Sequence, residues 1–360
     1  MGVENVKKVI VLAVLSALAI VGCSKEQSPS GTNSLSAVKK AQSSIPNMQV
    51  VESDVSKDRK AIKGQAWALL NARDYDGLDA LAAKYRASKE HYPDGLWKLD
   101  YVYAGLQLSG AEVAPAWESR KKEIQDWIKA KPESVTSQVA MAQFLTDYAW
   151  LARGNGWASA VKDSDAETFA KRLQQAVEVL VAAKQQKEKC PVLWLVFQKA
   201  ALGLSVERAQ YEKIFEEGKE AFPDYVYFYR SRAVYLMPRW YGAEGELEKD
   251  LQKQADRLKG EAGDKLYARV VWSIHNYGSS ENIFTENNFS WERTERGLDA
   301  ILKEFPDSIP ISNEAAHLAA LGGSPEATQK YFRLTKGQVD LDGWQGVEQF
   351  ESCWQWAFAK

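Results

Sequence analysis

Apolar residues recur along this chain at helical spacing, and three times the stripe runs into an aromatic residue followed by proline and aspartate. Leu78, Leu81, Ala82 and Tyr85 fall at i, i+3, i+4 and i+7 and lead to Tyr92-Pro93-Asp94. Tyr211, Ile214, Phe215 and Gly218 repeat the spacing and lead to Phe222-Pro223-Asp224, and Leu298, Ile301, Leu302 and Phe305 lead to Pro306-Asp307. Each set lies on one face of a helix. Proline cannot continue the helix before it, and the Asp after it can accept a hydrogen bond from the unpaired amides that open the next one. Each Pro-Asp is therefore expected to be a hinge between antiparallel helices, with Lys131-Pro132-Glu133 as a degenerate fourth. Ser164-x-x-Glu167 predicts a capping box, and Ser324-Pro325 an N-cap with proline at the first helical position. Strand signals are nearly absent. The predicted class is all-α, an irregular α-solenoid of stacked antiparallel helix pairs.

The chain opens on a different pattern. Lys7 and Lys8 precede an uninterrupted run of apolar and small residues from Val9 to Gly22, about 14 residues ending at Cys23. That is the length of a signal-peptide core and too short to cross roughly 30 Å of hydrocarbon as a helix. Ile20-Val21-Gly22-Cys23 resembles the lipobox of bacterial lipoproteins. The resemblance implies removal of residues 1–22 as a signal peptide and acylation of Cys23, which would make the membrane a partner through that lipid. Ser24 in place of Asp resembles the signal that sends Gram-negative lipoproteins to the outer membrane; the expected location is its periplasmic face, with the inner membrane or the cell surface as alternatives. From Ser24 to about Met48 the chain is rich in Ser, Gln, Asn and Lys and has no large aromatic. We expect residues 23–55 to form the lipidated N-terminus and a flexible tether, and 56–360 the helical body.

Helices punctuated by proline turns resemble tetratricopeptide repeats, and Arg73-Asp74-Tyr75-Asp76 resembles the turn inside one such unit. The hinge spacing is irregular and the full repeat signature is nowhere intact. Three further segments carry a more specific likeness: Tyr148 to Ala158, Tyr235 to Gly242, and the aromatic tail from Trp344 to Trp356. Together they resemble an uncharacterised bacterial family of tetratricopeptide-like proteins catalogued only as a domain of unknown function. That likeness implies a helical fold and brings no activity with it.

Composition narrows the picture further. The chain is 45% hydrophobic and 26% charged, with a formal charge of −2. Loss of Lys7, Lys8 and Glu4 with the leader leaves about −3, so nothing points to nucleic acid. Thirteen tryptophans are expected mostly in the cores of helix pairs. With Cys23 on lipid, Cys190 and Cys353 remain, either bridged in an oxidising compartment or as two separate buried thiols.

No constellation specifies a reaction. His91, His275 and His317 sit apart in sequence, without metal-ligand spacing, so no metal site and no cofactor are expected. Asp74-x-Asp76-Gly77 has its glycine too early for a calcium loop and reads as a helix–helix turn. No catalytic residue can be named. Two clusters stand out as a candidate binding surface: Trp150, Arg153 and Trp157 around Gly154-Asn155-Gly156, and Arg239, Trp240 and Tyr241 before Gly242. A guanidinium beside aromatic rings can hold carboxylates, sugars or peptide. The same residues also suit the plainer task of closing a helix C-terminus. The expected function is a binding or scaffolding module for a protein or peptide partner, the alternative an envelope carbohydrate-active enzyme or glycan-binding protein.

Overall fold

A computed structural model describes residues 35–108, 110, 112–154, 161–277, 282–344 and 346–359. Among these, 73% are helical, in seventeen α-helices, with one two-residue parallel strand pair. The all-α, helical-repeat-like class is thus as expected. The expected signal peptide over 1–22, Cys23, Trp157 and the part of the expected tether before Leu35 lie outside the described residues.

The chain forms two compact units. The first holds residues 59–90 and 96–235. It contains most of α2 (Asp54–Asn71), then α3 (Tyr75–Ser88), α4 (Lys98–Gly105), α5 (Ala114–Ala130), α6 (Val135–Arg153), α7 (Asp163–Ala183), α8 (Pro191–Gly203), α9 (Arg208–Ala221) and α10 (Tyr227–Tyr235). The second holds residues 35–58, 91–95 and 236–359. Its elements are α1 (Leu35–Ser44), β1 (Gln49–Val50), α11 (Glu246–Leu258), α12 (Gly260–Asn276), α13 (Ile283–Glu286), α14 (Trp291–Glu304), α15 (Ile309–Leu321), α16 (Pro325–Thr335), β2 (Gln338–Val339), a 3₁₀ turn (Leu341–Gly343) and α17 (Val347–Phe358).

The proline hinges share one geometry. Lys131 (φ −135°, ψ 70°), Phe222 (φ −141°, ψ 74°) and Phe305 (φ −129°, ψ 65°) end α5, α9 and α14 in the conformation a following proline imposes. Each still donates its N–H four residues back, to Trp127 at 2.8 Å, Gly218 at 2.9 Å and Ile301 at 2.8 Å. Each carbonyl then accepts from the residue three ahead: Ser134 at 3.0 Å, Tyr225 at 3.1 Å and Ser308 at 3.2 Å. Tyr92 and Gly95 close the fourth turn at 2.8 Å. Proline presets φ at the second position of such a turn. The acidic residue occupies the third position, so it does not cap the next helix as expected. Ser134 caps α6 instead, accepting from the Ser137 amide at 3.0 Å.

Asp74 caps α3, accepting from the Gly77 amide at 2.9 Å, so the Asp74–Gly77 segment is the helix–helix turn it was read as. Ser324 caps α16 as expected. The capping box at Ser164 does not form, because α7 starts two residues earlier, with Lys162 rather than Ser164 as its N-cap. Asp163 and Asp165 then sit in the first turn, where they complement the helix dipole.

In the first unit α6, α8 and α10 pack side by side, with α7 against α6 and α8, and α9 against α8 and α10. Large rings fill the spaces between these layers. Trp97, Trp117 and Trp127 are fully buried. Trp117 stacks on Tyr148 (centroids 4.8 Å apart) and Tyr211 on Tyr235 (3.6 Å). Burying one such ring contributes roughly 2–3 kcal/mol.

In the second unit α12 packs on α14, α15 on α16, and α17 on α16. Asn313, fully buried on α15, holds the C-terminal segment in place. Its amide donates to the carbonyls of Ile309 (2.9 Å) and Gln338 (3.0 Å) and accepts from the Trp344 indole (2.9 Å). β2 pairs in parallel with β1, matching Gln49 to Gln338 and Val50 to Val339. The segment before β1 was expected to be tether, yet Leu35–Ser44 is a helix that packs on α17. Ala41, Ile45 and Met48 are buried in the second unit's core. Composition missed this because one small and two apolar residues at i, i+4 and i+7 suffice when a ready-made groove receives them.

Two glycine substitutions should move stability in opposite directions. A Cβ on Gly297 of α14 would overlap the Asp264 carbonyl oxygen and lie 2.6 Å from the Ala268 Cβ on α12. Gly297→Ala is expected to destabilise by about 3 kcal/mol. Gly64, inside α2, has nothing within 4 Å of such an atom, and Gly64→Ala should stabilise by about 0.5–1 kcal/mol. Urea unfolding followed by circular dichroism measures both, and a Gly297→Ala variant that is not destabilised contradicts the packing assigned to α12 and α14.

Candidate functional site

The two arginine–aromatic clusters predicted from sequence belong to different units. Trp150 and Arg153 are half-buried at the end of α6. The Trp150 ring meets Phe169 of α7 edge-on at 5.0 Å and faces the close approach of Gly203 on α8. The Arg153 guanidinium lies 5.4 Å from the Trp150 ring and donates to the Gly154 carbonyl at 3.2 Å, just past the helix end. In the second unit, Arg239 lies 4.5 Å over the ring of Tyr277, a partner the sequence did not reveal because it is distant along the chain. Trp240 is half-buried, whereas Tyr241 and Tyr277 are exposed. Gly242 follows because a Cβ there would overlap the Leu236 carbonyl.

A second constellation in the first unit escaped the sequence reading. Asp100 on α4, Asp147 on α6, Lys199 on α8 and Tyr227 on α10 are all half-buried, each from a different helix of the packed layers. Lys199 Nζ lies 5.9 Å from the Tyr227 ring. Burial works against the lysine's charge, but Tyr227, Asp147 and Asp100 outweigh it and raise its pKa. Burial pushes Asp147 up, against the opposing pull of Lys199 and Gln143. Asp100 is anchored by the Trp97 amide (2.9 Å) and by the hydroxyl of Tyr225, whose ring meets Trp97 edge-on at 5.2 Å. Burial, followed by Asp100, raises the Tyr225 hydroxyl far above its usual range. The result is a half-buried ammonium whose charge is favoured by two carboxyls and an aromatic ring on neighbouring helices. This arrangement suits recognition of a polar chain through hydrogen bonds.

The two cysteines among the described residues, Cys190 and Cys353, are free. Cys190 is fully buried, 3.3 Å from the Tyr103 hydroxyl, and burial raises its thiol pKa. Burial lifts Cys353 to about 11. The bridged alternative is therefore set aside.

Histidines that stand alone in sequence meet in the second unit. His275 of α12 and His317 of α15 lie edge to face, 4.7 Å between centroids, and His317 stacks on Trp344 at 4.7 Å. Glu314, one turn before His317, is fully buried, and neither oxygen makes a hydrogen bond of full geometry. Burial raises its pKa well above the carboxylate range, with Asn276 and Trp272 moderating the rise and Asp94 adding to it. Burial lowers His275 to about 4. It lowers His317 to about 3, with His275 adding to the fall. Burial thus disfavours the charged form of all three groups. Among the described residues no three His, Cys, Asp or Glu side chains are arranged to hold a metal ion.

By fold this is an all-α protein of stacked helices. Residues 64–199 match the family model described as a domain of unknown function, DUF4034. The matched segment falls in the first unit apart from residues 91–95, and it contains Asp100, Asp147 and Lys199. No curated protein and no solved structure matches the chain. Among the described residues no helix is long and apolar enough to cross a membrane.

The Glu314–histidine cluster makes stability depend on pH from both sides. The lowered histidines contribute stability that is complete above their unfolded value near 6.5 and is lost as pH falls toward 4 and 3. Glu314, raised, contributes stability present below about 4.5 and lost as pH rises toward its folded value. With two histidines against one carboxyl, stability of the second unit should rise from about pH 4.5 to a maximum near 6.5 and fall above it. Glu314→Gln should remove the loss on the alkaline side, gaining up to about 1.4 kcal/mol per pH unit on the wild type. Hydrogen exchange of α15 amides at pH 5, 6 and 7.5 reads this directly. Parallel profiles for the two proteins would contradict it.

Proposed function

We propose that the chain is a lipoprotein, anchored through Cys23 to the periplasmic face of the outer membrane, whose tetratricopeptide-like body binds a protein or peptide partner. The leader from Lys7 to Gly22 and the lipobox-like Ile20–Cys23 support the anchor. The observation that carries the binding reading is the half-buried set Asp147, Lys199 and Tyr227, presented by the adjacent helices α6, α8 and α10. Successive helices of an α-solenoid line a continuous surface, and side chains spaced along it read an extended segment one element at a time. Neither a metal nor a cofactor is invoked.

The test is capture from detergent-solubilised envelopes with the full-length protein as bait, beside an unrelated lipoprotein. A specific partner should be enriched, and Lys199→Ala should weaken its binding by about tenfold or more, the usual effect of removing one member of a desolvated charged pair. Enrichment identical to the unrelated lipoprotein, or full binding by the variant, would rule the reading out. Cys23→Ser should separately move the protein from the membrane to the soluble fraction.

A further inference from the structure

The fold of residues 35–50 shortens the tether. Only residues 24–34 separate Cys23 from α1, eleven residues that reach at most ~40 Å when fully extended. They lead into α1, which packs on α17 and buries Ala41, Ile45 and Met48 in the same core as Phe350 and Ala357. The outer face of α17 carries Ser352, Gln355 and Trp356, the last 44% exposed. On α16, which packs against α17, Leu334 is 43% exposed beside Arg333, with Lys336 just beyond the helix end. The second unit's other described tryptophans are buried or half-buried. Lys336 pairs with Asp307 at 3.5 Å, so the exposed indole and leucine, with Arg333 next to the leucine, are what suits a membrane–water interface.

We infer that the outer face of α16 and α17, with Trp356 and Leu334 foremost, rests on the lipid surface that holds Cys23. The inference depends on the acylation of Cys23 proposed above. Lipid is favoured as occupant by the leash: it confines this face close to a bilayer, so a partition too weak to recruit a free protein is enough for a tethered one. The contact would also fix which end of the second unit faces the membrane.

Brominated lipids test this. The full-length protein is extracted from envelopes and reconstituted into phosphatidylethanolamine–phosphatidylglycerol vesicles with plain or brominated acyl chains. Wild type is compared with Trp356→Phe and with Trp67→Phe, which removes a 41% exposed tryptophan of the first unit. Bromine should quench part of the wild-type emission. That quenched part should fall by at least half in Trp356→Phe and persist in Trp67→Phe. If Trp356→Phe loses helicity by circular dichroism, Trp356→Tyr takes its place. Mass spectrometry of the same preparation reads the acyl chains on Cys23. Acylated protein whose quenching is absent or unchanged in Trp356→Phe overturns the contact and leaves the anchor standing. Cys23 without lipid overturns the anchor and the contact together.

Discussion

A residue that precedes proline is pushed out of the helical region by the ring that follows it, and three helices of this chain end on such a residue. The stop is abrupt but leaves little unpaired. The last N–H still reaches back four residues, and the last carbonyl is taken by an amide three residues ahead. The chain can then re-enter a helix within a few residues, too few to do anything but return alongside the one it left. Antiparallel stacking follows, and so does the demand for large rings: adjacent helices leave gaps between their stripes that Trp117, Tyr148, Tyr211 and Tyr235 fill.

The two units meet the burial of polar groups differently. In the first, Asp100, Asp147 and Lys199 are half-buried and answer one another's charge. In the second, Glu314 is fully buried one turn from His317, and that burial disfavours its charge. Asn313 on the neighbouring position shows the contrast, since each of its amide atoms has a partner and it ties β2 and Trp344 to α15. One residue fixes the segment; the next sets its response to acid and base.

The features legible in sequence were those written locally. The stripes of α3 and α14, the Asp74 turn, the Ser324 cap and the position of every proline hinge rest on residues within a few places of one another. What the sequence hid was pairing at a distance. His275 and His317 stand forty-two positions apart, and Arg239 and Tyr277 thirty-eight. Asp147 and Lys199 lie on separate helices, and no local spacing announces that those helices are neighbours. The segment 35–50 failed for a related reason: its few apolar residues look insufficient alone and become sufficient against α17 and β2, which come almost three hundred residues later. Ser164 failed locally, where two acidic residues offered an earlier start to the helix.

The family match ends at Lys199, inside α8. A helix in a stack buries its apolar face only when the next layer is present, and the layer that covers α8 lies beyond the match. Trp194 packs edge-on against Phe222 and over Gly218 of α9, and Tyr225, just before α10, supplies the hydroxyl that holds Asp100. Cut at residue 199, the chain would leave the far side of α8 uncovered and Asp100 without that partner. The matched segment is therefore shorter than the unit that folds, which runs on to Tyr235. In this chain α9 and α10 cover α8 and bring Tyr227 to the face of Lys199.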